Sequence, residues 1–239
     1  MAHLEQLNFV SAITNKLDLN SNKLKILEIG SYDVNGNIRS FFPKVHYIGI
    51  DLISGPGVDI VCSGDKLKHK SNTYDLVISC ECFEHNPKWK ETFINMFRML
   101  KEGGVFIFTC ASDGRPEHGT SKTNPKESPG TSALGSDYYR NLSKNDFIDN
   151  FDFPSNFLNY FFYTNKQSFD LYFFGIKKSK SKSKSTLQLA KKINGIKDLE
   201  NLINKSQNKV ESYKRNKKFI PKFMRRFLAK YLFKLTLKK

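Results

Sequence analysis

Leu24-Lys25-Ile26-Leu27-Glu28-Ile29-Gly30-Ser31-Tyr32-Asp33 reads as a short apolar strand that runs straight into a glycine. A strand buried on both faces of a parallel sheet loses the alternation of apolar and polar residues, and Leu24 to Ile29 has that character. A glycine just past the carboxyl end of such a strand has no Cβ, so a ligand can approach the backbone closely. Ligands of open α/β sheets sit at that edge, where the strand order reverses.

The pattern extends outward from this strand. Leu4 to Leu17 reads as an amphipathic helix. A loop rich in Ser, Asp, Asn and Gly leads to a short helical stretch at Ile38 to Phe42, stopped by Pro43. Val45 to Ile50 is a second strand ending in Asp51, Asp59 to Cys62 a third, and Tyr74 to Ser79 a fourth. Pro87 suits the first turn of a helix running to Leu100, in which Phe93, Met96, Phe97 and Leu100 recur at i, i+3, i+4 and i+7. Gly103-Gly104 reads as its end, and Val105 to Cys110 as a fifth strand. Strands alternating with helices imply βαβ units, a parallel sheet and helices on both faces.

Ala111 to Ser136 is a long loop loaded with Gly, Pro, Ser, Thr and Asn. Loops of this length in compact domains are often lids or binding segments. A short helix near Ser143 to Asn150 follows. Two strands, Asn156 to Tyr163 and Ser168 to Lys177, are joined by the short link 164–167, which predicts an antiparallel hairpin.

Charge divides the chain. The formal net charge over 239 residues is +16, yet residues 1–176 hold 18 Lys/Arg against 20 Asp/Glu, and residues 177–239 hold 21 against 3. Attraction to an anionic partner therefore acts through the tail. The expected organisation is an α/β domain at 1–177, a Lys/Ser linker at 178–186 and a basic helical tail at 187–239. Within the tail, 222–237 has the period of an amphipathic helix. Phe223, Phe227, Leu228, Tyr231 and Leu235 share one half of its wheel, opposite Arg225, Arg226 and Lys230. Such a helix suits the headgroup region of an anionic membrane; packing against protein and binding nucleic acid are the alternatives, nucleic acid being the less favoured.

No run approaches the ~18 apolar residues of a membrane span. Met1 to Val10 lacks a basic leader and an apolar core, so no signal peptide is expected. Cys62, Cys80, Cys82 and Cys110 do not have zinc-finger spacing and read as reduced thiols. Together these place the protein in the cytoplasm, peripheral at a membrane surface.

The dinucleotide pattern G-x-G-x-x-G does not follow the first strand, so Gly30 to Gly36 is a poor pyrophosphate cradle. Asp51, at the end of the second strand, can accept hydrogen bonds from ribose hydroxyls. Loop and carboxylate together indicate a nucleoside ligand without indicating a diphosphate.

These segments resemble the class I S-adenosylmethionine-dependent methyltransferases, over roughly Leu24 to Lys177. Leu27-Glu28-Ile29-Gly30 is similar to the start of that family's cofactor loop, and Tyr47-Ile48-Gly49-Ile50-Asp51 to its ribose signature. Tyr74 to Ser79 looks like its fourth strand, Glu84-His85 a pair it often has next, and Leu100-Lys101-Glu102-Gly103-Gly104 its turn before the fifth. The chain departs from the pattern at Tyr32 and Val34, where family loops often carry glycines. It departs again at Ser63-Gly64-Asp65, where many members place an acidic residue near the adenine.

The resemblance implies a Rossmann-like α/β fold, with a seven-stranded mostly parallel sheet and a closing antiparallel hairpin. It implies an enzyme that uses S-adenosyl-L-methionine. The cofactor residues implied are Glu28, Gly30, Ser31, Asp51, Leu52, Gly64, Asp65, Cys80 and Glu81.

The implied reaction is methyl transfer to a small-molecule or glycan acceptor, at a hydroxyl. A hydroxyl acceptor must lose a proton, and an imidazole suits that task. His85 is the candidate general base, with Glu84 beside it; otherwise His85 is a structural residue at a helix start. Arg115, Glu117 and His118, just past the fifth strand, and Tyr138 and Tyr139 are candidates to bind the acceptor. No metal site is expected, because Asp113, Glu117 and His118 do not have the spacing of a ligand set. An RNA methyltransferase tethered by the basic tail and a non-catalytic, cofactor-binding membrane adaptor are the alternatives.

Overall fold

Strands β1 (Lys25–Ile29), β2 (His46–Asp51), β3 (Ile60–Val61), β4 (Tyr74–Cys80), β5 (Leu100–Ala111), β6 (Phe157–Asn165) and β7 (Asp170–Lys177) form one sheet, in the order β3-β2-β1-β4-β5-β7-β6. The structure is a computed structural model that describes residues 4–19, 23–43, 45–180, 184–193, 195, 197, 198, 200, 201, 203, 204 and 208. β1 pairs in parallel with both β2 and β4, and β4 pairs in parallel with β5. β7 runs antiparallel to β5 and to β6, which gives the expected closing hairpin. The chain steps outward from β1 to β2 and β3 on one side, and to β4 and β5 on the other. The carboxyl ends of β1 and β4 therefore flank the switch point at which open α/β sheets take ligands.

Apolar side chains fill both faces of the sheet. On one face, α1 (Leu4–Leu17) buries Phe9, Val10 and Ile13 against Ile26, Ile78 and Tyr172. On the other, α2 (Trp89–Met99) buries Phe93 and Met96 beside Phe106, Phe108 and Phe173. Phe108 stacks on Phe147 at 4.5 Å and on Phe173 at 4.9 Å. Burying a ring of this kind stabilises by roughly 1.5–3 kcal/mol, so this aromatic layer anchors the strands that carry the site.

The sequence and the structure differ at α2 and β5. Pro87 lies before the helix, whose cap is Lys88. Leu100 does not end the helix; it opens β5, paired with Tyr74 and fully buried. Gly103 and Gly104 lie inside that strand, at a register slip between Tyr74 and Leu76, and Gly103 takes φ +73°. Pairing across the sheet outweighs the helical period that Leu100 shares with Phe93 and Phe97.

The long loop after β5 is partly ordered as a 3-10 turn at Pro125–Glu127 and a short helix, α3 (Pro129–Ala133). α4 (Lys144–Ile148) starts in a capping box between Ser143 and Asp146, and α5 (Phe153–Asn156) leads into β6.

α6 (Lys184–Lys192) begins inside the segment read as a linker. Ile193 and Ile203 are buried in the core on the α1 side. Asn159 Nδ2 donates to the carbonyls of Ala190 at 3.2 Å and Ile193 at 3.0 Å. The start of the tail thus contributes to the core. The amphipathic stretch 222–237 lies outside the described residues. Among the described residues no helix is long and apolar enough to cross a membrane. The four cysteines are free thiols.

Candidate active site

A crevice of about 330 Å³ opens at the carboxyl ends of β1, β2 and β4, within the usual range of small-molecule sites. Gly30 forms its floor with φ +79°; a Cβ there would come 2.7 Å from Cβ of Cys82. The turn after β4 therefore packs directly under the loop after β1, and only glycine fits between them. The amides of Gly30 and Ser31 both donate to Ile50 O at 3.0 Å, which fixes the loop against β2.

Asp51 ends β2 with both carboxylate oxygens engaged by backbone. Tyr32 N donates to Oδ2 at 3.0 Å, and Leu52 N to Oδ1 at 2.7 Å. Burial raises the Asp51 pKa, and these two amides oppose the rise. Each oxygen keeps a lone pair for a further donor. Tyr32, the departure from the glycine-rich pattern, does not plug the crevice, because its ring packs over Gly55.

Ser31 Oγ is buried on the same wall with no hydrogen-bond partner. Gly30 at the floor and the carboxylate acceptors of Asp51 are the features a nucleoside-bearing cofactor would lie against. The residues fit such a group.

Glu28 is buried at the crevice wall and accepts a hydrogen bond from the Tyr47 hydroxyl at 2.7 Å. Burial pushes its carboxyl up to about 8, against the pull of Tyr47 and Arg39. Glu81 follows β4 with φ +50°, an uncommon conformation for a residue with a side chain. It lines the crevice with Cys80 and Cys82. Burial pushes the Cys82 thiol up to about 12, which makes it an inert packing group.

Leu52 and Gly64 also line the crevice, Gly64 wedged against Thr92 and Ile29. Asp65 does not line it. Its carboxylate accepts from the Ser63 hydroxyl, and it faces a separate surface depression with Lys68 and Arg98. Cys62, Ser63 and Lys66 take up that part of the wall instead.

Sequence reasoning missed the cover. Ser128, Gly130, Thr131, Leu134 and Ser136, on and around α3, lie across the crevice from Asp51. A Cβ on Gly130 would come 2.7 Å from Asp51 Oδ1, so α3 rests on the Asp51 carboxylate. The signal in the sequence was Ser128-Pro129, a helix-start pair with proline at the first helical position.

His85 reaches the crevice from a 3-10 turn, Phe83–His85. Burial, with His118 adding to it, pushes its imidazole down to about 3, so it is neutral at ordinary pH. His85 stands edge-on to His118 at 4.9 Å and to Tyr139 at 5.4 Å. Glu84 is buried behind it, and burial raises its carboxyl well above the usual range.

The other expected acceptor residues are used elsewhere. Arg115 donates to Ser168 O at 2.5 Å and pairs with Asp170 at 3.3 Å, pinning the loop to the β6–β7 hairpin. Glu117 accepts from Thr120 Oγ1 at 2.6 Å. Tyr139 Oη donates to Pro116 O at 3.2 Å. Neither Tyr138 nor Tyr139 is among the residues that line the crevice. Of that group, His118 and the Tyr139 ring come together beside His85.

Residues 44–108 match the family model described as a methyltransferase domain. No curated protein matches the sequence. The chain is similar to many solved structures, three of which follow. An S-adenosylmethionine-dependent methyltransferase of Thermotoga maritima is 13% identical over 73% of this chain and 92% of its own, with a TM-score of 0.46. A 1,6-didemethyltoxoflavin-N1-methyltransferase of Burkholderia thailandensis, bound to its substrate and S-adenosylhomocysteine, is 12% identical over 73% and 80%, with a TM-score of 0.48. Phosphoethanolamine N-methyltransferase 2 of Haemonchus contortus, in complex with S-adenosyl-L-methionine, is 13% identical over 70% and 52%, with a TM-score of 0.49.

Proposed function

We propose that this chain, which carries a methyltransferase-domain match over residues 44–108, uses S-adenosylmethionine to methylate a hydroxyl group of a polar small molecule or glycan. The observation that carries this reading is the chemistry of the covered end of the crevice. His85, Asn86, Ser128, Thr131 and Ser136 line the crevice together with the charged Lys88 and Glu127, and the first five carry neutral hydrogen-bonding groups that match hydroxyls.

The residues divide the work. Gly30, Ser31 and Asp51 hold the nucleoside part of the cofactor, and Glu81 and Cys80 border the rest of it. When bound, S-adenosylmethionine supplies a methyl group on a sulfonium, whose thioether leaving group needs no proton. α3 covers the crevice and keeps water from the reacting groups. His85 borders the acceptor space with a neutral imidazole, whose packing fixes where the acceptor hydroxyl can sit. At about 3, its pKa is too low for it to ionise a hydroxyl in advance. His85 is therefore a positioning group, and the early loss of the acceptor proton needs further help.

The basic stretch 222–237 would bring the domain to an anionic membrane surface in the cytoplasm, which suits an acceptor carried on a lipid. The support for this is the sequence of the tail alone.

The test is methyl transfer from labelled cofactor to matched panels of hydroxyl and amine acceptors. The reading expects turnover on hydroxyls, with His85→Asn lowering kcat and leaving the affinity for S-adenosylhomocysteine within about two-fold. Turnover confined to amines contradicts it.

A further inference from the structure

We propose that Glu84, His85 and His118 form a binding site for one divalent transition-metal ion. A carboxylate oxygen of Glu84 and one ring nitrogen from each histidine lie within 4.8 Å of one another. Glu84 is 0% exposed and His85 4%. Both oxygens of Glu84, both nitrogens of His85 and Nε2 of His118 are buried with no hydrogen-bond partner. The three groups are thus close enough to share an ion, yet not bonded to one another. Buried polar atoms are nearly always met by a partner, and buried charge by an opposite charge or a metal. Among the described residues, Glu84 forms no ion pair with a lysine or arginine.

The second observation concerns the tautomer of His118. Its Nδ1 lies 3.2 Å from Pro116 O, which can only accept, so Nδ1 carries the proton and Nε2 presents its lone pair. A carbonyl on the far nitrogen is the usual support of a metal-bound histidine. The Tyr139 ring stands edge-on to both imidazoles, at 5.4 Å and 5.0 Å, and limits how far either can swing away.

Two imidazoles and one carboxylate suit Zn²⁺, Mn²⁺, Fe²⁺ or Co²⁺ better than Mg²⁺ or Ca²⁺, which favour oxygen ligands. Metal–donor bonds of about 2.0–2.2 Å set neighbouring donors about 3–3.5 Å apart. The side chains therefore close by roughly an ångström when an ion enters. Three protein ligands leave open positions, and His85 lines the crevice. An ion there with an open position toward the crevice would polarise an acceptor hydroxyl. That use rests on the hydroxyl reading above; the site itself does not.

The test uses the full chain, stripped with a chelator and then dialysed free of it. It is titrated with Co²⁺, followed by visible absorption, and with Zn²⁺ by calorimetry. One equivalent is expected to bind. His118→Ala and Glu84→Gln should each weaken binding at least ten-fold, and His46→Ala, exposed at the start of β2, should leave it unchanged. His118 lies on the loop, so its variant gives the reading even if Glu84→Gln fails to fold. No saturable binding to the wild type overturns the site, as does one equivalent held equally tightly by His118→Ala. Tight binding without turnover on any hydroxyl acceptor upholds the site and removes only the hydroxyl reading.

Discussion

Gly130 of the lid helix lies so close above Asp51 that a Cβ would come 2.7 Å from the carboxylate Oδ1. Asp51 cannot easily give way, because Tyr32 N and Leu52 N hold its two oxygens. Gly130→Ala should therefore displace the lid or the carboxylate. The expected cost is about 1–2 kcal/mol of cofactor affinity, roughly 5–30-fold in Kd. Calorimetric titration with S-adenosylhomocysteine checks it, and an unchanged Kd would mean that the lid does not cover the bound cofactor.

Asp51→Ala removes the acceptors offered to the ribose. Hydrogen bonds to a carboxylate contribute about 1.5–3 kcal/mol, so Kd for S-adenosylhomocysteine should rise by roughly 10–150-fold. The Tyr32 and Leu52 amides lose their partner in the same variant. Thermal unfolding of the free protein separates that structural loss from the loss of ligand contact.

The buried Glu28 carboxyl gives stability a pH dependence. Its folded pKa is raised to about 8 from 4.5. Between those values the folded state keeps a proton that the unfolded state has released. The stabilisation is complete below pH 4.5 and is lost as pH rises through about 8. Glu28→Gln, which still accepts the Tyr47 hydroxyl, should flatten that fall. Urea unfolding at pH 5 and at pH 8.5 should give the variant a smaller difference than the wild type, by a few kcal/mol; equal differences would remove Glu28 as the source.

His85 acts in the opposite sense. Its folded pKa is lowered to about 3 from 6.5, so the unfolded state binds more protons between those values. The stabilisation is complete above pH 6.5 and is lost as pH falls through about 3. In metal-free protein, His85→Asn should reduce the loss of stability between pH 6.5 and 4. The same urea series on the acid side measures it, and an undiminished slope would place the titrating group elsewhere.

Much of the crevice's sheet edge was legible because its signals are local. Gly30 and Asp51 each end a strand that its own apolar run defines, and the βαβ order fixes where strand ends meet. The cover was not legible. α3 is a five-residue helix inside a Gly/Pro/Ser-rich loop, too short for a hydrophobic period to reveal it. Arg115 and Glu117 looked like acceptor ligands because charge near a strand end invites that reading. Their actual partners, Ser168, Asp170 and Thr120, are set by how the loop folds back. Gly103-Gly104 looked like a helix stop, but strand pairing of Leu100 had already ended the helix at Met99. Glu84, His85 and His118 come together across 33 residues, a proximity that no spacing along the chain encodes.

A crystal structure of the protein with S-adenosylhomocysteine is the most direct measurement. The adenosyl group should lie over Gly30, with a ribose hydroxyl within hydrogen-bond distance of Asp51 and the sulfur facing the His85 side beneath α3. Ligand bound elsewhere, or Asp51 without contact to the ribose, would contradict the account.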